Sequence, residues 1–168
     1  MVLAISKKLG VILNSYGVSV KYSRENDIFV DLAPRAQMAN NWGAILFVSI
    51  HANSASSDAS GTECYTHPND NSTTKNLSAN VSRSISNKFG IPNRGYKEED
   101  FAVLRLSNMP AILVETAFIT NSGDANLLKN RQDDFANSIA SEISKYLGIY
   151  DSTKNIVDEL NSNGFQIY

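Results

Sequence analysis

Ile45-Leu46-Phe47-Val48-Ser49-Ile50-His51-Ala52-Asn53 decides the fold of this chain. The apolar run at its start is too short for a helix and rich in β-formers, so residues 45–50 read as a buried central strand. In open α/β sheets the ligand crevice lies at the carboxyl ends of strands. His51, followed by the small polar loop 52–60, stands at such an end. Ala111-Ile112-Leu113-Val114-Glu115-Thr116 repeats the arrangement, an apolar strand carrying a carboxylate at its far end. Burying that carboxylate is costly unless it meets a cation, a metal or good donors. A histidine and a glutamate meeting on one sheet edge are the minimal equipment of a metal-assisted hydrolase.

Working outward, helical and strand patterns alternate. Ile5, Leu9, Ile12, Leu13 and Tyr16 fall on one helix face, with Gly17 as the C′ residue. Val18, Val20 and Tyr22 then alternate with polar residues as in a strand. Asp31 is placed to cap a helix running to about Trp42, with Pro34 in its first turn. Residues 61–66 read as a strand holding Cys64 as a small core residue. A long helix starts at Asn71 or Ser72, repeats Leu77, Val81, Ile85 and Phe89, and closes at Gly90. Phe101-Ala102-Val103-Leu104 and residues 111–116 supply two more strands, and Phe135, Ile139, Ile143 and Leu147 line a last helix that ends at Gly148. This order predicts an α/β fold, a mixed and mostly parallel central sheet with helices on both faces in three layers. Residues 1–149 form one domain, and 150–168 form a tail or linker stump.

Composition narrows the function. Of the 168 residues, 42% are hydrophobic and 19% charged, as in ordinary globular domains. A net charge of −2 gives no electrostatic reason to expect a nucleic acid or an anionic membrane as partner. One cysteine cannot form an internal disulfide, no Gly-x-Ser-x-Gly elbow is present, and no signal segment is visible.

Several stretches in order carry a family likeness: Ser23-Arg24-Glu25-Asn26-Asp27, Leu32 to Arg35, Ala39-Asn40 and Ser49 to Asn53, then Gly61-Thr62-Glu63, Asn93-Arg94-Gly95, Phe101 to Arg105, Met109-Pro110-Ala111 and Val114 to Asn121. Together they resemble the zinc-dependent N-acetylmuramoyl-L-alanine amidases, the cell-wall hydrolases of autolysins and endolysins, from about residue 3 to residue 148. The resemblance implies cleavage of the amide between N-acetylmuramic acid and the L-alanine of the stem peptide. It implies a Zn2+ cofactor held by two histidines and a glutamate, peptidoglycan as the partner, and action in the cell wall or outside the cell. His51 matches the second histidine ligand and Glu115 the general base. Arg94 is placed to line the cleft, its planar fork suited to a stem-peptide carboxylate, and Asn53 to orient His51 or touch substrate.

One departure accompanies the match. In the family the first histidine and the glutamate ligand follow a first strand and precede the helix that opens this chain. Two ligands and that strand are therefore expected to be missing here, unless coding sequence upstream of Met1 supplies them. His67 and Glu63 are the available substitutes. The alternative reading is a non-catalytic peptidoglycan-binding or regulatory remnant. Arg24, Asp27 and Arg35 are expected to form an ion-pair cluster, and Met38 and Trp42 to be core. Oligomeric state is left open.

Overall fold

The computed structural model describes residues 1–149; the expected tail, 150–168, lies outside them. Four strands form one sheet: β1 (Phe47–Asn53), β2 (Thr62–Thr66), β3 (Asn93–Glu98) and β4 (Ala111–Phe118), in the spatial order β1-β4-β2-β3. The β1–β4 and β2–β3 ladders are parallel and β2–β4 is antiparallel. Helices α1 (Val2–Ser15), α3 (Ser72–Phe89) and α6 (Gln132–Tyr146) close over one face. Their apolar stripes meet Cys64, Ile112 and Val114 of the sheet in the main core. Helices α2 (Leu32–Trp42) and the single turn α4 (Ala102–Arg105) lie on the other face, where Val103 and Leu104 pack on Ala111 and Leu113. A short helix, α5 (Ser122–Asn130), follows β4.

The three-layer mixed sheet is the architecture expected from the sequence. Helix ends fall where the capping signals lie. Gly17 takes φ +81° after α1, Gly90 takes φ +67° after α3, and the Asn71 side chain accepts the Thr74 N–H at 3.0 Å.

Two expected strands are not strands. Residues 101–104 fall at the helical turn α4, Phe101 as its N-cap and the others within it, with Val103 and Leu104 each 3% exposed. A four-residue apolar run cannot distinguish the two states by periodicity. Residues 18–22 join no ladder, although Val18 and Val20 pack on the main core. Their alternation reported burial, but a strand also needs a hydrogen-bonding neighbour, and the outer edge of β1 does not reach them. Two adjoining cavities of about 560 and 590 Å3 occupy that gap, both lined by Tyr22, Trp42, Leu46, Val48 and Ile50. Trp42 and Met38, expected in the core, are instead 43% and 39% exposed beside the first cavity.

Candidate active site

His51, Glu115 and Glu63 stand abreast on three neighbouring strands. His51 of β1 is in register with Glu115 of β4, and Glu115 with Glu63 of β2. Residues directly paired across a ladder share a face, so all three project to the side covered by α2 and α4. The meeting of His51 and Glu115 is the one expected from the sequence, and Glu63 joins them because β4 lies between β1 and β2.

The two glutamates are solvated differently. Glu63, 3% exposed, accepts from Asn53 Nδ2 (2.7 Å), Tyr65 OH (2.7 Å), Arg94 Nε (2.9 Å) and Lys97 Nζ (2.5 Å). Burial alone opposes its charge, yet the donors from Lys97, Tyr65 and Arg94 prevail and hold its carboxyl down at about 2. Glu115 has no such partners. Its Oε2 is buried without a hydrogen bond, and burial, then the charge of Glu63, pushes its carboxyl up to about 7. The same charge raises the Tyr65 hydroxyl beyond the usual phenol range, after burial and the hydrogen bond to Glu63.

His51 is half-buried, its Nε2 2.9 Å from Ser49 Oγ. Burial, then the Arg35 charge, lowers its pKa below the ordinary value, so the ring is neutral at pH 7. Neutral imidazole is the form that ligates a metal. Thr116 Oγ1 donates to His51 O (2.7 Å) and Thr62 Oγ1 to Glu115 O (3.0 Å), tying the three strands at the site.

Other expected residues fall elsewhere. Asn53 does not orient His51; its amide donates to Glu63, and its Oδ1 accepts the Ser54 N–H at 2.8 Å. Arg24 pairs with Asp27 at 3.1 Å, but Arg35 donates to Val30 O at 2.8 Å and lies over the Phe29 ring, so the three form no single cluster. His67 Nε2 faces Asp100 at 3.3 Å, and Glu63 is filled by its own donors. Neither stands in for a missing ligand. Cys64 is fully buried, and burial pushes its thiol up to about 12, too high for a nucleophile.

The loop after β1 is held by residues the sequence reading did not single out. Asp124, 2% exposed, accepts from Ser60 Oγ (2.8 Å), the Gly61 N–H (3.0 Å) and the Phe118 N–H (2.9 Å). Thr120 Oγ1 accepts the Ala55 N–H at 3.1 Å, and Asn121 Nδ2 donates to Ser57 O at 2.9 Å. The only local signal was Asn121 as the cap of α5. Lys97, Tyr65 and the strand that carries Arg94 were also missed, since β3 is polar and reads as a turn.

Hydrolytic zinc sites use three protein ligands. Among the described residues, no group of three or more His, Cys, Asp or Glu is placed to hold a metal ion. His51 supplies one donor at the rim of the first cavity, and the residues present do not complete a zinc centre.

A family model described as N-acetylmuramoyl-L-alanine amidase matches residues 1–145. The endolysin of Bacillus phage SPP1 is 41% identical over 147 residues, covering 83% of this chain and 53% of the endolysin. The sporulation-specific N-acetylmuramoyl-L-alanine amidase of Bacillus subtilis (strain 168) is 40% identical over 120 residues, 71% of this chain and 46% of that enzyme. The chain thus spans about half the length of these two curated relatives. Among solved structures, the catalytic domain of CwlV, an N-acetylmuramoyl-L-alanine amidase from Bacillus (Paenibacillus) polymyxa, superposes with a TM-score of 0.80 at 33% identity. That match covers 88% of this chain and 83% of the CwlV domain. The family is in general zinc-dependent. On the order of its motifs, the fold and the extent of the match, the chain belongs to the N-acetylmuramoyl-L-alanine amidase family.

Proposed function

We propose that this domain serves to hydrolyse the amide between N-acetylmuramic acid and the L-alanine of the stem peptide, acting on peptidoglycan in the cell wall. The observation that carries the reading is Glu115, a half-buried carboxyl whose Oε2 is buried and unpartnered and whose pKa is about 7, in register with a neutral His51. A carboxyl that titrates near neutrality is matched to its task in amide hydrolysis, taking a proton from the attacking water and giving it to the leaving nitrogen. His51 is assigned as a zinc ligand, Glu115 as the general base, and Arg94 as a substrate-binding residue at the rim. Asn53 acts on the site through Glu63. A complete zinc centre requires donors beyond the described residues, so no step is assigned to the metal.

That shortfall favours a second reading, a non-catalytic domain that binds peptidoglycan. The two separate in one experiment. Purified peptidoglycan is incubated with the 168-residue protein across a series of Zn2+ concentrations, and newly exposed amino groups are labelled and identified. Release of N-terminal alanine is the result that the amidase reading predicts. Retention on the wall polymer with no new alanine termini at any Zn2+ concentration would establish the binding reading instead.

A further inference from the structure

The amidase reading puts Arg94 at the rim but leaves unnamed the group that its charged assembly would receive. β3 carries a bulge where it meets β2: Thr62 pairs with Asn93 and Cys64 with Tyr96, so Arg94 and Gly95 together oppose Glu63. Gly95 takes φ +78°, and its N–H is received by Asn93 Oδ1 at 2.9 Å. In a regular strand, residues 94 and 97 would point to opposite faces. The extra residue returns them to the same one, and both cations reach Glu63, Arg94 Nε at 2.9 Å and Lys97 Nζ at 2.5 Å.

One carboxylate between two cations leaves a surplus positive charge. Neither cation is buried, with side-chain exposures of 41% for Arg94 and 40% for Lys97. Arg94 uses only Nε on Glu63, and its Nη groups make no hydrogen bond among the described residues. The guanidinium is also fixed in orientation, lying over the Phe118 ring at 5.1 Å, as Lys97 lies over Tyr65 at 5.7 Å. A planar fork with two free donors, immobilised by a buried anion, is a receptor for a carboxylate. Glu63 faces Glu115 directly across the ladder, so the cations stand roughly one to two strand spacings, ~5–10 Å, from the reacting centre. One extended residue spans about 3.5 Å, which puts the residue next to the scissile amide within their reach.

We propose that Arg94 and Lys97, pinned by Glu63 through the β3 bulge, form a subsite for a free carboxylate on the stem residue that follows L-alanine. The subsite selects acidic stems over stems in which that carboxyl is a carboxamide. The proposal rests on the amidase reading and deepens it.

Binding tests it without requiring turnover. Two synthetic ligands, N-acetylmuramoyl-L-alanyl-D-glutamate γ-methylamide with a free α-carboxylate and its α-carboxamide, are titrated calorimetrically into the metal-free protein. The wild type is expected to hold the acid at least about tenfold more tightly, in keeping with a charge-assisted pair. Arg94→Gln is expected to bring the ratio close to one, and Lys97→Gln, a milder change should Arg94→Gln fail to fold, to reduce it several-fold. Gly95→Ala, which strains the bulge while keeping both cations, is expected to lower the ratio as well. Equal binding of acid and amide by the wild type, or a ratio unchanged in the variants, overturns the subsite and leaves the amidase reading standing. Failure of the wild type to bind either ligand also overturns the subsite, whereas the amidase reading stands or falls separately, by the release of N-terminal alanine.

Discussion

Glu63 and Glu115 are the same residue, a strand apart, on one face of one sheet, and the protein treats them as opposites. Glu63 is surrounded by four side-chain donors and is an anion down to about pH 2. Glu115 is given no donor for one oxygen and holds its proton up to about pH 7. The chemistry of a carboxyl here is set by which strands flank it, not by its own identity. A satisfied carboxylate organises its neighbours. A starved one is left able to trade a proton.

The largest expected effect separates the two. Glu115→Gln should lower hydrolysis of the muramoyl amide by about 10²–10⁴-fold, the usual worth of a positioned general acid–base group. Glu63→Gln keeps Glu115 and should cost roughly tenfold, read as weaker substrate binding more than slower turnover. Steady-state kinetics on a soluble muramoyl peptide distinguish the patterns, and comparable losses in kcat for the two variants would erase the distinction.

Stability against pH sharpens it further. Glu63 falls from an ordinary 4.5 to about 2, so its contribution is fully present above pH 4.5 and is lost as pH drops towards 2. Glu115 rises from 4.5 to about 7, so the unfolded chain ionises first and stability declines between pH 4.5 and 7. Each limb is on the order of 3 kcal/mol, from about 1.4 kcal/mol per pH unit. Urea unfolding of the metal-free protein should therefore show a maximum near pH 4–5. Glu63→Gln should flatten the acid limb. Glu115→Gln should flatten the other. A wild-type profile with no decline above pH 4.5 would contradict the assignment of Glu115.

A further carboxylate, buried like Glu63, extends the contrast at smaller cost. Asp124 is filled by Ser60, Gly61 and Phe118, like Glu63, but it joins loops rather than cations. Asp124→Asn weakens or removes two backbone amide partners, at about 1–3 kcal/mol. Hydrogen exchange at Gly61 and Phe118 should accelerate, while the core amides of α3 slow or quicken only with global stability.

Much of this fold was legible because burial writes period into sequence. The stripes of α1, α3 and α6 and the apolar runs of β1 and β4 were read directly. What failed had no such period. β3, Asn93-Arg94-Gly95-Tyr96-Lys97-Glu98, is a polar edge strand broken by a bulge, and its hydrogen bonds to β2 hold it rather than its own pattern. α5 is nine residues with two buried side chains, too few to show a stripe. The site divides the same way. His51 and Glu115 were visible because each ends an apolar strand. The environment of Glu63 was not, because its donors come from positions 53, 65, 94 and 97 and converge only when β2 sits between β3 and β4.

The most direct test of the contrast is a carbon-13 NMR titration of the glutamate side-chain carboxyls in metal-free protein, with Glu63→Gln and Glu115→Gln assigning the two resonances. The account predicts that Glu115 titrates near pH 7 while Glu63 remains ionised down to about pH 2. Both carboxyls titrating together near the ordinary value of 4.5 would contradict it.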